Sequence, residues 1–180
     1  MLLSGIQEDN WGVRLTIHWI PADYRGNDAA QDVTMTWKIL EEQQPELAAF
    51  GCERLNGRVA YLATIRKDGA PRVHPMTPII GRGHFFVFME PTSPKGHDLQ
   101  HDGRFAIHCT VSDNSGASGE FSIAGHAHRV DDAELRALAA SLASYEPADR
   151  YILFEFDIKS AASTVYTEDR AVRQFWKRDM

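Results

Sequence analysis

The chain has 180 residues, of which 43% are hydrophobic and 24% charged, and it carries a formal net charge of −6. That length allows one domain with a real core. The acidic balance argues against a nucleic-acid partner, and no apolar run approaches the roughly 20 residues of a membrane helix. Cys52 and Cys109 both stand among apolar neighbours. Two buried free thiols in a reducing cytoplasm are therefore expected, rather than a disulfide or a metal pair. The first six residues lack a basic start and a sustained apolar core, so no signal peptide is expected.

Residues 1–34 differ from the rest. They carry Glu8, Asp9, Asp23, Asp28 and Asp32 against Arg14 and Arg25, with little periodicity beyond 13–20. This segment is expected to be an N-terminal extension; the alternative is an arm packed on the core through Trp11 and Trp19. The domain proper is expected to span 35–180. Residues 45–56 predict a helix, with Leu47, Phe50 and Leu55 facing the core and Gly57 as its stop.

Strands then dominate. Residues 59–66 are apolar and β-rich, and Lys67-Asp68-Gly69 is a strong hairpin turn. A returning strand is expected over 71–80, irregular or at an edge, because Pro75 and Pro78 cannot donate ladder hydrogen bonds. Residues 84–89 form a nearly continuous apolar strand, in which Phe85, Phe86 and Phe88 are expected in the core. A helix runs from Ser93 to about His101, and a strand follows over 104–111. After a polar loop at 112–119 comes a long strand over 120–130. A helix opens at Asp131 with Glu134 in a capping-box-like position, and Leu135, Leu138, Ala139 and Leu142 make its apolar stripe. Residues 151–158 alternate cleanly, and 163–167 is expected to be the last strand. Six or seven strands joined mostly by short turns, with few helices, argue for a closed or split barrel.

Two segments carry chemistry. The arm 70–76 bears Arg72, a bidentate anion donor. After the next strand, Ser93 is a good N-cap, Pro94 suits the first helical position, and Lys95 follows. That predicts a helix start with free N–H groups beside a hydroxyl and an ammonium, which is an anion site. A phosphate held there would anchor a larger cofactor across the sheet. The unpaired backbone near Val73 to Pro75 suits a flat ligand. His97 and His101 lie one helical turn apart, and His126 and His128 share a strand face. Both spacings suit a metal, yet no glutamate or cysteine completes a set, so none is expected. His74 is read as a packed or edge histidine. Trp176 either covers a cofactor or docks the tail, and Asp113-Asn114-Ser115 is a flexible hairpin tip.

The order of these pieces resembles the pyridoxamine 5′-phosphate oxidase-like family of FMN-binding split barrels. The matching stretches are 61–76, 86–89, 93–99, 102–106 and 120–127, within about 45–166. The resemblance implies a mainly β, six- to seven-stranded antiparallel split barrel with a few short peripheral helices. It also implies a homodimer with flavin at the subunit interface. Arg72, Ser93 and Lys95 would hold the phosphate, and Val73, His74 and Pro75 would run beside the ring through their backbone. Phe88 and Met89 would flank the ribityl chain or ring. The true oxidase carries a C-terminal segment with an arginine and a histidine that grip pyridoxal phosphate. Here the last residues, 174–180, contain no histidine, so a small organic substrate other than vitamin B6 is expected. Alternatives within the same fold are a deazaflavin-dependent reductase and a flavin- or haem-binding carrier or sensor without turnover.

Overall fold

The computed structural model describes residues 35–111, 113–167 and 170–178. The proposed extension, 1–34, lies outside them. The described residues form four helices and eight strands, and all the strands join one antiparallel sheet, a split barrel. None of the described helices is long and apolar enough to cross a membrane.

Helix α1 (Thr36–Gln43) is absent from the sequence reading. Eight residues are too few to display a helical period, and tertiary contacts hold this segment. The Thr36 hydroxyl donates to the Phe156 carbonyl at 3.2 Å and accepts from the Ile158 amide at 3.0 Å. Trp37 is fully buried against Phe85 and Phe121. Helix α2 (Pro45–Leu55) starts on Pro45, with Glu46 in its first turn and Arg54 in its last, which suits the helix dipole. Gly57 follows it at φ +67°, a conformation that favours glycine. Leu47, Gly51 and Leu55 make the buried stripe.

Strands β1 (Ala60–Ile65) and β2 (Pro71–Met76) form the expected hairpin, with Thr64 opposite Arg72 and Tyr61 opposite Pro75. Strand β2 pairs with β1 alone among the described strands and lies at an edge, where its prolines are tolerated. The single strand predicted over 71–80 is in fact two. The chain leaves the β2 ladder at Thr77-Pro78, and β3 (Ile79–Gly81) pairs instead with β4 (His84–Met89). Proline at 78 cannot extend the β2 ladder, and Ile80 takes up a new partner strand.

Helix α3 (Pro94–His101) leads into β5 (Arg104–Cys109), which lies between β1 and β6 (Glu120–Val130). Helix α4 (Ala133–Leu142) is capped by Asp132, whose side chain accepts from the Leu135 amide at 2.8 Å. Strand β7 (Ile152–Tyr166) merges the two predicted segments into one strand of 15 residues. Its middle, Lys159-Ser160-Ala161-Ala162, lacks the apolar alternation that marks strands in sequence, and pairing with β6 on one side overrides that. On its other side it pairs first with β4 and then with β8 (Ala171–Lys177), an unanticipated strand. The β6–β7 register shifts at Ala124/Gly125, where a Cβ on Gly125 would collide with the Asp157 carbonyl.

Strand β4 is buried on both faces, which explains its unbroken apolar sequence. Phe85, Val87 and Met89 enter the main core with Trp37, Phe121 and Phe156. Phe86 and Phe88 enter a smaller core with Ile79 and Leu153, against which Leu135, Leu138, Ala139 and Leu142 of α4 pack as predicted.

Candidate anion-binding site

The β1–β2 hairpin and α3 bound an open groove of about 490 Å³. Three cations line it, Arg66, Lys67 and Arg72, together with Asp68 and Asp98, and α3 contributes Pro94 and His97. The hairpin register sets Arg72 beside Thr64 on one face, over Asp98 of α3. The Arg72 Nε–H donates to Asp98 Oδ2 at 2.8 Å, and the Thr64 hydroxyl donates to the same oxygen at 2.8 Å. Asp98 is only 7% exposed, and two donors, one of them charged, offset the burial of its carboxylate. The terminal amines of Arg72 have no hydrogen-bond partner among the described residues. Arg66 pairs with Asp68 of its own turn at 2.8 Å, on the exposed side of the groove.

The start of α3 is as its sequence dictates. Ser93 is the N-cap, in an extended conformation, and its hydroxyl makes no capping hydrogen bond. Pro94 occupies the first turn. The first intrahelical bond runs from the His97 amide to the Ser93 carbonyl at 3.1 Å, so the Lys95 and Gly96 amides precede the ladder. Lys95 is half-buried, and burial pulls its ammonium below the ordinary lysine value of 10.5. The groove thus gathers three cations and the first turn of α3 around two carboxylates, while the predicted Ser93 and Lys95 flank Pro94 and are not among the lining residues.

The other predicted residues fall elsewhere. Val73 and Pro75 point to the opposite, exposed face with Tyr61, while His74 shares the Arg72 face opposite Leu62. Phe88 and Met89 put their side chains in the two cores, and the Arg136 guanidinium sits 5.1 Å from the centre of the Phe88 ring. Trp176 is 5% exposed and donates to Gln43 Oε1 at 2.7 Å. It docks β8 on α1 and does not line the groove. Sequence reasoning missed Arg66, Lys67, His97 and Asp98 as groove residues. The signal for the first two was present, since the hairpin that pairs Thr64 with Arg72 carries residues 66 and 67 to the same end. Among the described residues, no group of three or more histidines, cysteines and carboxylates is placed to hold a metal. Cys52 and Cys109 are free thiols, and burial, with Glu41 nearby, pushes the Cys52 thiol up.

The family model for pyridoxamine 5′-phosphate oxidase matches residues 45–165. The chain belongs to the pyridoxamine 5′-phosphate oxidase family. The matched span runs from α2 into β7 and contains the whole groove. No curated protein matches this family member. Among solved structures, it is similar to a heme binding protein from Mycobacterium smegmatis, at 22% identity and a TM-score of 0.57, over 72% of this chain and 56% of that one. The chain thus spans little more than half the length of that protein. It is also similar to PhzG from Burkholderia lata in complex with tetrahydrophenazine-1-carboxylic acid, at 18% identity and a TM-score of 0.55, over 82% and 89% of the two chains. A NimC/NimA family protein from Clostridium acetobutylicum matches at 15% identity and a TM-score of 0.54, over 79% and 95%. At these identities the likeness is one of fold.

Proposed function

We propose that this member of the pyridoxamine 5′-phosphate oxidase family is an FMN-dependent oxidoreductase acting on a small organic substrate other than vitamin B6. The observation that carries the reading is the groove, where the two Arg72 amines have no partner among the described residues and stand beside Arg66, Lys67 and the start of α3. These groups suit one phosphate, and the sequence has no glycine-rich dinucleotide turn. Arg72, Ser93, Lys95 and the Lys95 and Gly96 amides would hold that phosphate. The flavin, when bound, supplies the hydride or electron chemistry, and the chain positions it and tunes it.

The same reading includes a homodimer with flavin at its interface. The sheet turns one face outward, and its cross-strand rows run Pro75, Tyr61, His108, Ser122, Ala162, Phe175 and, next to it, Val73, Ala63, Ala106, Ala124, Ser160. Val73 is 61% exposed, Phe175 68% and Tyr61 46%, around small side chains at Ala63, Ala106, Ala124 and Ser160. An outward face with exposed apolar side chains suits a two-fold, self-complementary contact. A second reading, haem binding without turnover, draws support from the fold shared with the M. smegmatis heme binding protein.

Mass spectrometry of the cofactor released from native protein tests the proposal. FMN is the expected mass. A haem or deazaflavin mass would replace this reading, and tighter binding of FAD than of FMN in a titration would remove the single-phosphate argument.

A further inference from the structure

We propose that Asp98 is the positioning residue of the groove, fixing the Arg72 guanidinium through its Nε–H so that both terminal amines are left for a phosphate-type anion. The inference rests on the phosphate reading above and goes beyond it, because a carboxylate in an anion site is a repulsive element unless it has another task. Three observations give it one. Asp98 is almost wholly buried, so its charge keeps its donors and cannot turn to water. Its Oδ2 binds two side chains from neighbouring strands, the Thr64 hydroxyl and the Arg72 Nε–H, each at 2.8 Å, and so is itself fixed. Among the described strands Arg72 stands on an edge strand, where none lies on its other side to confine the long side chain. An unfixed arginine loses rotamer freedom when it grips a ligand, and one held beforehand loses less. Arg66 contrasts with it, since its partner is the exposed Asp68 of its own turn.

The fixed geometry also orients the guanidinium plane. Nε is taken by Asp98, so a ligand meets the two Nη groups, the edge that binds phosphate bidentately. Asp98 touches no ligand in this arrangement and acts through Arg72.

The experiment titrates FMN, riboflavin and orthophosphate into the native protein and the Asp98→Ala, Asp98→Asn, Arg72→Ala and Arg72→Ala/Asp98→Ala variants. The side-chain Nε–H resonance of Arg72 is followed alongside by NMR. Asp98→Ala is expected to weaken FMN and orthophosphate about tenfold, the loss of one charge-assisted contact, with riboflavin far less affected. Asp98→Asn, which keeps an acceptor oxygen, restores most of that affinity. In the Arg72→Ala background Asp98→Ala causes no further loss, and any change is a gain from the removed negative charge, the non-additivity expected of a residue acting through another. Equal weakening of riboflavin, or the same loss with and without Arg72, would overturn the proposal. Should Asp98→Ala not fold, Arg72→Lys keeps the ion pair but not the spare amines, and native-like FMN affinity in that variant would also overturn it. If neither flavin binds, orthophosphate still decides. A shift of the Arg72 resonance in native protein, lost in Asp98→Ala, sustains the role of Asp98 while the flavin reading falls. An unmoved resonance defeats the role itself.

Discussion

Arg72 and Asp98 join edge strand β2 to helix α3 through a single charge-assisted bond of 2.8 Å. Arg72 is therefore part of the fold as well as of the groove. Arg72→Ala leaves a nearly buried carboxylate with the Thr64 hydroxyl as its one donor among the described residues. Breaking a fully buried pair costs about 3–5 kcal/mol. The Arg72 side chain is 29% exposed, so solvent reduces this, and a loss of about 1–3 kcal/mol is expected. Urea unfolding measures it. Arg72→Ala/Asp98→Asn, with no orphaned charge, should recover most of the loss, and failure to recover would show that the cost lies in packing.

Lys95→Ala should weaken FMN roughly 10- to 100-fold and leave riboflavin nearly unchanged. The pH dependence has a definite sign. Burial disfavours the ammonium of Lys95 in the free protein, and a bound phosphate favours it. FMN affinity should therefore fall as pH rises through a value below 10.5, while free-protein stability rises over the same window because the unfolded chain there binds the extra proton. Isothermal titration across alkaline pH, with riboflavin and Lys95→Met as controls, measures the first slope. Parallel slopes for FMN and riboflavin would remove Lys95 from the phosphate.

Ala124 lies in the outward sheet face between Ala106 and Ser160. In a two-fold dimer an arginine there is introduced twice. Ala124→Arg is expected to give a folded monomer that has lost its flavin, as read by sedimentation velocity and absorbance. A flavin-loaded monomer would place the cofactor within one subunit.

Gly51 faces Phe121, and a Cβ added there would meet the phenyl ring. Alanine normally improves a helix by about 0.5–1 kcal/mol over glycine. Here overpacking, at about 1–3 kcal/mol, outweighs that gain. Phe121 is fully buried beside Trp37 and Phe50 and has little room to shift. Gly51→Ala should lower the melting temperature, and Gly51→Ala/Phe121→Leu should regain part of it.

A chain starting at Met35 is expected to keep fold, dimer and flavin. The charge pattern changes at that point, and from Thr36 onward the chain supplies a connected core. Loss of soluble dimer on truncation would show that residues before 35 belong to it.

Much of the fold was legible because its strongest signals are local. The Lys67-Asp68-Gly69 turn, the Ser93-Pro94 helix start and the alternation of 152–158 each depend on a few neighbouring residues. What escaped depends on distant partners. Helix α1 is held by Phe156 and Ile158, and β8 by its pairing with β7 and by the Trp176–Gln43 hydrogen bond. Within the groove, Arg72 and the α3 start were visible as donors. The partner of Arg72 was not, because Asp98 reads as one more polar residue on a short helix until the hairpin register brings Thr64 and Arg72 over it.

Pro71 and Pro75 have a consequence for the protein's solubility. An open sheet ends in a strand whose unpaired amides invite a foreign strand to add on. Here the two prolines, four residues apart on β2, remove amides from that border, since a proline within a sheet turns its nitrogen away from the ladder. Val73, exposed between them, would otherwise make this an adhesive border. The same prolines leave the outward face of β2 unchanged, so in the proposed dimer pairing by surface would stay open while pairing by edge is discouraged.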